Sequence, residues 1–276
     1  MDSKLILFLL KHPATWVSCG KVLWAILKKK KHVIIQRKGI CMKVMIGSGQ
    51  GLFCAIAGTD YEEELWWLLE RLKSEDRMID VGANIGIYSL HASRRVGKKG
   101  RIIAFEPTPE THQILVENTK LNDCSNVICE KIALGGRNGT FRLVAGDRPA
   151  SNSIIEATDA FDGRDHVIGM TLDGYCARHQ IGKINFIKVD IEGGEAAFFK
   201  GALNTLRKDR PVVVFESLHT GPLYPEREIL IHNGYKLYIL NRGTMEEALL
   251  KTSSSGNVLA IPSEIAASER DFLARL

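Results

Sequence analysis

Between residues 77 and 217 five apolar runs alternate with stretches of helical character, and this alternation restricts the possible folds more than any other feature of the chain. The runs are RMIDVG (77–82), RIIAFE (101–106), NVICEKIAL (126–134), KINFIKVDI (183–191) and PVVVFES (211–217). Near-continuous apolar strands separated by helices are buried on both faces, which calls for a mostly parallel sheet covered by helices on each side. Helices are expected over 85–96, from Pro109 onward with Thr108 as N-cap, over 195–207 and over 225–233. GTFRLV (139–144), HVIGMTL (166–172), YKLYIL (235–240) and NVLAI (257–261) read as further strands. In such sheets ligands lie beyond the carboxyl ends of the strands, near the point where strand order reverses. Four places therefore matter most, after residues 81, 105, 189 and 216.

Upstream, HVIIQRKGICMKVMIGSGQGLFCAIAG (32–58) reads as short strands of a small antiparallel sheet. YEEELWWLLERLK (61–73) sets Leu65, Leu68, Leu69 and Leu72 on one helical face. The expected division is a helical and β-stranded basic extension over 1–58 and an α/β domain over 59–276. Charge follows the same division. Residues 1–50 hold ten Lys/Arg and one acid, a local charge of +9 in a chain of net charge +5, so the rest is about −4. Basic character is thus absent from the α/β region, which argues against a nucleic-acid groove there. The six cysteines are scattered, without CxxC or Cys/His metal spacing, as expected of free thiols in a cytoplasmic protein.

LILFLL (5–10) and VLWAIL (22–27) are broken by Lys11, Pro13 and Lys21, and neither approaches the ~20 apolar residues a bilayer span requires. A lysine cluster follows the second run where a signal peptide would place a cleavage site. Two readings stay open for residues 1–31. One is a helix packed on the domain or a partner. The other is an interfacial helix with Trp16, Trp24 and Lys28 to Lys31 against an anionic inner membrane surface.

At the first strand end, Gly82 and Gly86 allow a tight turn and a close ligand approach, with Asn84 between them and a helix start beyond. The third glycine of a dinucleotide fingerprint is missing, because Ile87 stands where a small residue would come. Asp80 precedes the turn. A carboxylate there opposes a pyrophosphate but suits an ammonium group, which favours S-adenosyl-L-methionine over a nicotinamide dinucleotide. At the second strand end, Glu106 follows Gly82 by 24 residues, near the spacing of ~20 for an acid that accepts from ribose hydroxyls. At the third, Ile132, Ala133 and Leu134 would lie near an adenine ring, with ordinary core packing as the alternative.

The fourth strand end, IKVDIEGGE (187–195), crowds Lys188, Asp190, Glu192 and Glu195 together. Glu195 suits the helix N-terminus that it begins. Asp190 and Glu192 fall where an acceptor would sit. Either could take the proton of an acceptor hydroxyl, with Asp190 also within reach of the cofactor; together they could ligate a divalent cation that acidifies it. His219, past the fifth strand, is a second candidate base. No Asn/Asp-Pro-Pro-aromatic motif follows the fourth strand, so a hydroxyl of a small molecule or glycan suits this site better than a nucleic-acid base.

DVGANIGIYSL (80–90), IIAFEPTPETH (102–112), KIALGGRNGTFRL (131–143), SNSI (151–154), TLDGY (171–175) and IKVDIEGGE (187–195) together resemble the FkbM-type S-adenosylmethionine-dependent methyltransferases. The resemblance covers about 75–220 and implies a class I methyltransferase (Rossmann-like) three-layer fold with a mostly parallel seven-stranded sheet. It also implies O-methylation, commonly of sugars in glycolipids, polysaccharides or natural products. Other readings of the residues are a nicotinamide-dependent oxidoreductase and a degenerate cofactor-binding module that docks through its basic N-terminus. Oligomeric state is not legible.

Overall fold

The structure is a computed structural model. It describes residues 32–45, 63–144, 153–156, 166–217, 224–241, 244–247 and 256–273. The expectations for residues 1–31, for strands over 46–58 and for His219 lie outside the described residues.

The strands are β1 (His32–Arg37), β2 (Ile40–Met45), β3 (Arg77–Val81), β4 (Arg101–Phe105), β5 (Val127–Glu130), β6 (Ala133–Leu134) and β7 (Gly139–Val144). They continue with β8 (Ser153–Glu156), β9 (His166–Met170), β10 (Phe186–Val189), β11 (Val212–Ser217), β12 (Tyr235–Asn241), β13 (Thr244–Glu247) and β14 (Gly256–Pro262). The helices are α1 (Glu63–Arg71), α2 (Ile87–Val96), α3 (Pro109–Leu121), α4 (Leu172–His179), α5 (Glu195–Lys200), α6 (Leu203–Lys208), α7 (Pro225–His232) and α8 (Ala266–Leu273).

The main sheet runs β13-β12-β14-β11-β10-β3-β4-β5. Its seven principal strands are those read from the sequence, with the four-residue β13 added at one edge. β11, β10, β3, β4 and β5 are mutually parallel, and β14 runs against both β11 and β12. Strand order reverses at β3, whose neighbours are β4 on one side and β10 on the other, so the crevice between β3 and β10 is the switch point.

Alternation along each strand divides the core in two. Met78, Ile102, Phe186, Val214 and Leu259 face one layer with Leu65, Leu68 and Leu90 of α1 and α2. Ile79, Ile103, Ile187, Val213 and Ala260 face the other, with Leu172, Phe198, Phe199 and Leu206. The β1–β2 hairpin gives Val33, Ile35, Ile40, Met42 and Val44 to the first layer, so it shares a core with the α/β unit.

Besides β8, β13 and α8, which the sequence reading lacks, three of its expected elements are altered. The run 126–134 is not one strand. β5 pairs with β4 and ends at Glu130, and after Lys131 and Ile132 the chain enters a second sheet of order β6-β9-β7-β8. The charged pair Glu130–Lys131 marks the break. The run 166–172 stops at Met170, because the Thr171 hydroxyl accepts from Gly174 N–H at 3.0 Å and starts α4, a helix absent from the sequence reading. The helix expected over 195–207 is two, α5 and α6. Gly201 packs against backbone, where a Cβ would lie 2.1 Å from the Gly135 carbonyl oxygen, and its own carbonyl accepts from Asp173 N–H at 3.0 Å. The Asp173 carboxylate then caps α6 through the N–H groups of Asn204 and Thr205.

Candidate functional site

The turn after β3 is held by a closed set of backbone bonds. Gly82, Asn84 and Gly86 have φ of +73°, +52° and +97°, the left-handed region that glycine and asparagine tolerate best. Gly82 and Ala83 N–H both reach the Phe105 carbonyl, at 2.9 and 3.0 Å, and Gly86 N–H reaches the Ala83 carbonyl. Asn84 N–H donates to one Glu106 oxygen at 3.0 Å, while Thr108 N–H donates to the other at 2.9 Å. Glu106 is 6% exposed, and burial raises its pKa against the lowering effect of those two donors. The Thr108 hydroxyl adds a third donor, which leaves acceptor capacity among the carboxylate's roughly four lone-pair sites for a ligand hydroxyl. The turn and Glu106, distant in sequence, are thus one hydrogen-bonded object.

Asp80 points from β3 into the first layer. Its side chain is 2% exposed and accepts from the Ser89 hydroxyl of α2 at 2.6 Å. Burial pushes its pKa up to about 6, against the pull of the Lys188 ammonium and of Ser89. Strand register explains the pairing, because Lys188 of β10 stands opposite Asp80 of β3 and projects to the same face. Lys188 is itself buried, lies 4.9 Å from the centre of the Tyr88 ring and reaches the Asp190 carboxylate at 3.1 Å.

Beyond β10 the chain turns sharply, with φ of +53° at Glu192 and +96° at Gly193. Asp190 N–H donates to the Val81 carbonyl at 3.0 Å, which sets this loop directly against the glycine turn. Glu195 begins α5, as the sequence places it, and is buried; it also accepts from Ile191 N–H at 3.1 Å and Gly193 N–H at 3.4 Å, and so secures the loop beyond the helix-start role read from the sequence.

One residue escapes the sequence reading. Glu216, near the end of β11, joins Asp190 and Glu192, and carboxylate oxygens of the three lie within 4.8 Å of one another. Burial, then the charges of Asp190 and Glu192, push the Glu216 pKa up to about 8. Asp190 moves the other way: burial alone would raise it, but Lys188 and a hydrogen bond with Glu216 hold it below the usual range. The two carboxylates thus titrate as a pair that shares one proton at neutral pH, with Glu216 its favoured seat and Asp190 the favoured seat of the charge. Three oxygen donors at this spacing also fit a divalent cation.

Ala133 lies apart from these groups in its contacts. It belongs to β6, is 1% exposed and packs with Phe141 and Val167 of the second sheet. The site thus brings together Asp80, Gly82, Asn84, Gly86 and Glu106 on one side of the switch point, and Asp190, Glu192 and Glu216 on the other.

The model of the Methyltransferase FkbM domain matches residues 80–237, more than half of the chain and every group just described. The chain belongs to the FkbM methyltransferase family. Hexuronic acid methyltransferase AglP of Haloferax volcanii is 29% identical over 154 residues, which is 56% of this chain and 60% of AglP. Methyltransferase sdnD of Sordaria araneosa is 27% identical over 195 residues, 60% of this chain and 75% of sdnD. The chain therefore spans less than two thirds of AglP. A crystal structure of Methyltransferase FkbM from Methylobacillus flagellatus KT aligns at 20% identity with a TM-score of 0.47, covering 76% of this chain and 52% of that one. FkbM membership sets aside the nicotinamide-dependent reading. No helix among the described residues of this FkbM protein is long and apolar enough to cross a membrane.

Proposed function

We propose that the protein transfers a methyl group from S-adenosyl-L-methionine to a hydroxyl of a sugar-containing or other small-molecule acceptor. The observation that carries this reading is the placement of Asp190, Glu192 and Glu216 across the switch point from the turn that Glu106 secures. Glu106 would accept from the ribose hydroxyls, and Asp80 would face the methionine ammonium directly or through water. Ala133 would border the adenine. AglP, named for a hexuronic acid substrate, supports a sugar as acceptor.

S-adenosyl-L-methionine, when bound, supplies a methyl group on a cationic sulfur. The acceptor oxygen attacks that carbon in line, the C–O bond forms as the C–S bond breaks, and the products are a methyl ether and S-adenosylhomocysteine. The hydroxyl proton passes to Asp190, the charged member of the pair, which Lys188 and Glu216 orient. A divalent cation on the three carboxylates would acidify the same hydroxyl; the ammonium already seated on Asp190 favours the carboxylate route. His219 is kept as a second candidate base.

Calorimetric titration with S-adenosylhomocysteine, followed by mass spectrometry of sugar and small-molecule acceptors incubated with the protein and S-adenosyl-L-methionine, tests the reading. Binding and the mass increment of a methyl ether are expected. Absence of S-adenosylhomocysteine binding would overturn it.

A further inference from the structure

We propose that Asn118 is a positioning residue for the cofactor turn, pinning Ile85 with the same carboxamide that clasps the β1–β2 hairpin. The inference rests on the reading that residues 82–86 seat the methionine end of S-adenosyl-L-methionine.

Ile85 lies between two residues of left-handed φ, Asn84 and Gly86. Its carbonyl precedes Gly86, the N-cap of α2, and so stands outside the helical ladder. The Ser89 and Leu90 N–H groups, which stand four and five residues on, are directed elsewhere. Leu90 N–H bonds the Gly86 carbonyl at 2.8 Å, and the Ser89 backbone N–H acts on the Asp80 carboxylate. A buried carbonyl left without a donor is destabilising, so a side chain must supply one. Asn118 of α3 does, through Nδ2 at 2.9 Å.

The carboxamide is used on its other sides as well. Nδ2 also donates to the Lys43 carbonyl at 3.1 Å, and Oδ1 accepts from Lys43 N–H at 2.6 Å. Asn118 is 0% exposed, so no water competes for these bonds, and a carboxamide with both ends engaged has a single orientation. Glu106 holds the Asn84 N–H and Asn118 holds the Ile85 carbonyl, so the turn is gripped at two neighbouring residues, from the end of β4 and from α3.

The protein contains its own control. Asn122, one helical turn further along α3, clasps the hairpin in the same way. Its Oδ1 accepts from Cys41 N–H at 2.9 Å, and its Nδ2 donates to the Cys41 carbonyl at 2.6 Å. Its remaining bond runs to the Asn118 carbonyl within α3, at 2.8 Å, and not to the turn. Asn118→Asp and Asn122→Asp each turn a carboxylate oxygen toward two carbonyls and loosen the hairpin; only the first disturbs Ile85.

The test is calorimetric titration of wild type, N118D and N122D with S-adenosylhomocysteine, with the thermal midpoint of each and, once an acceptor is known, the KM for S-adenosyl-L-methionine and kcat. Both variants should lower the midpoint, N118D more than N122D because its site is fully buried and that of Asn122 is not. N118D should raise Kd and KM at least tenfold with kcat at saturation retained, and N122D should stay within twofold of wild type. If wild type does not bind, the proposed function fails. If wild type binds and N118D binds as tightly, or both variants weaken binding equally, Asn118 has a structural role only. Should N118D not fold, Asn118→Ser, too short to reach Ile85, gives the same comparison.

Discussion

The backbone carbonyl of Asp190 fills the space that a side chain on Gly82 would need: a Cβ there would lie 1.9 Å from that oxygen. Because Gly82 also has φ of +73°, Gly82→Ala adds strain to the clash. The variant should lose S-adenosylhomocysteine binding below detection by calorimetry and at least about 2 kcal/mol of stability by urea denaturation. Retained binding would mean that the crevice between β3 and β10 opens freely.

Glu106 has two backbone N–H donors and, on the proposed reading, two ribose hydroxyls to satisfy. Glu106→Gln replaces one oxygen by a donor that faces another donor. S-adenosylhomocysteine affinity should fall roughly 10- to 100-fold, the worth of a hydrogen bond to a charged group. Isothermal calorimetry reads this directly, and an unchanged Kd would remove Glu106 from the ribose site.

Asp190 and Glu216 should respond oppositely to amide replacement. Asp190→Asn deprives the acceptor proton of its destination, and kcat should drop by about 10²–10⁴ with S-adenosylhomocysteine affinity within twofold. Glu216→Gln mimics the protonated acid, keeps a donor toward Asp190 and should stay within about tenfold of wild type. Initial rates under saturating cofactor separate the two, and an equal loss in both variants would contradict the assignment.

Asp80 gives a pH dependence of definite sign. Its folded pKa of about 6 lies above the ordinary 3.8, so between those values the folded state binds more protons than the unfolded one. Its contribution to stability is therefore greatest below pH ~4, declines as pH rises through about 6 and is flat above. The difference between wild type and Asp80→Asn in urea midpoint, measured from pH 4 to 8, should show this slope. Cofactor affinity should run the other way, weakening below pH ~6 as the carboxylate that faces the ammonium is neutralised. A pH-independent affinity would detach Asp80 from the ligand.

The proposed cofactor side of the crevice is readable from the sequence because its chemistry is local. Asp80, Gly82, Asn84 and Gly86 fall within one turn, and Glu106 ends the next apolar run. The acceptor side is readable only in part. Glu216 stands 26 residues after Asp190, and only the register that sets Val189 beside Phe215 brings the two together. An acid at the end of a strand adjacent to IKVDIEGGE was the available signal. Asn118 gave none, since a polar residue in an amphipathic helix ordinarily reads as solvent-facing. The break in 126–134 and the start of α4 depended on one charged pair and one hydroxyl cap, short signals that an apolar periodicity overrides.

The contact between the two sides of the crevice is made at Asp190 by main chain, not by side chain. A seam of that kind does not depend on which side chain occupies position 190. On the proposed reading, acceptor preference can therefore drift through substitutions after β10 and β11 while the turn that would hold the cofactor stays shut, and directed evolution confined to the residues that follow those two strands would change the substrate without rebuilding the methyl donor's seat.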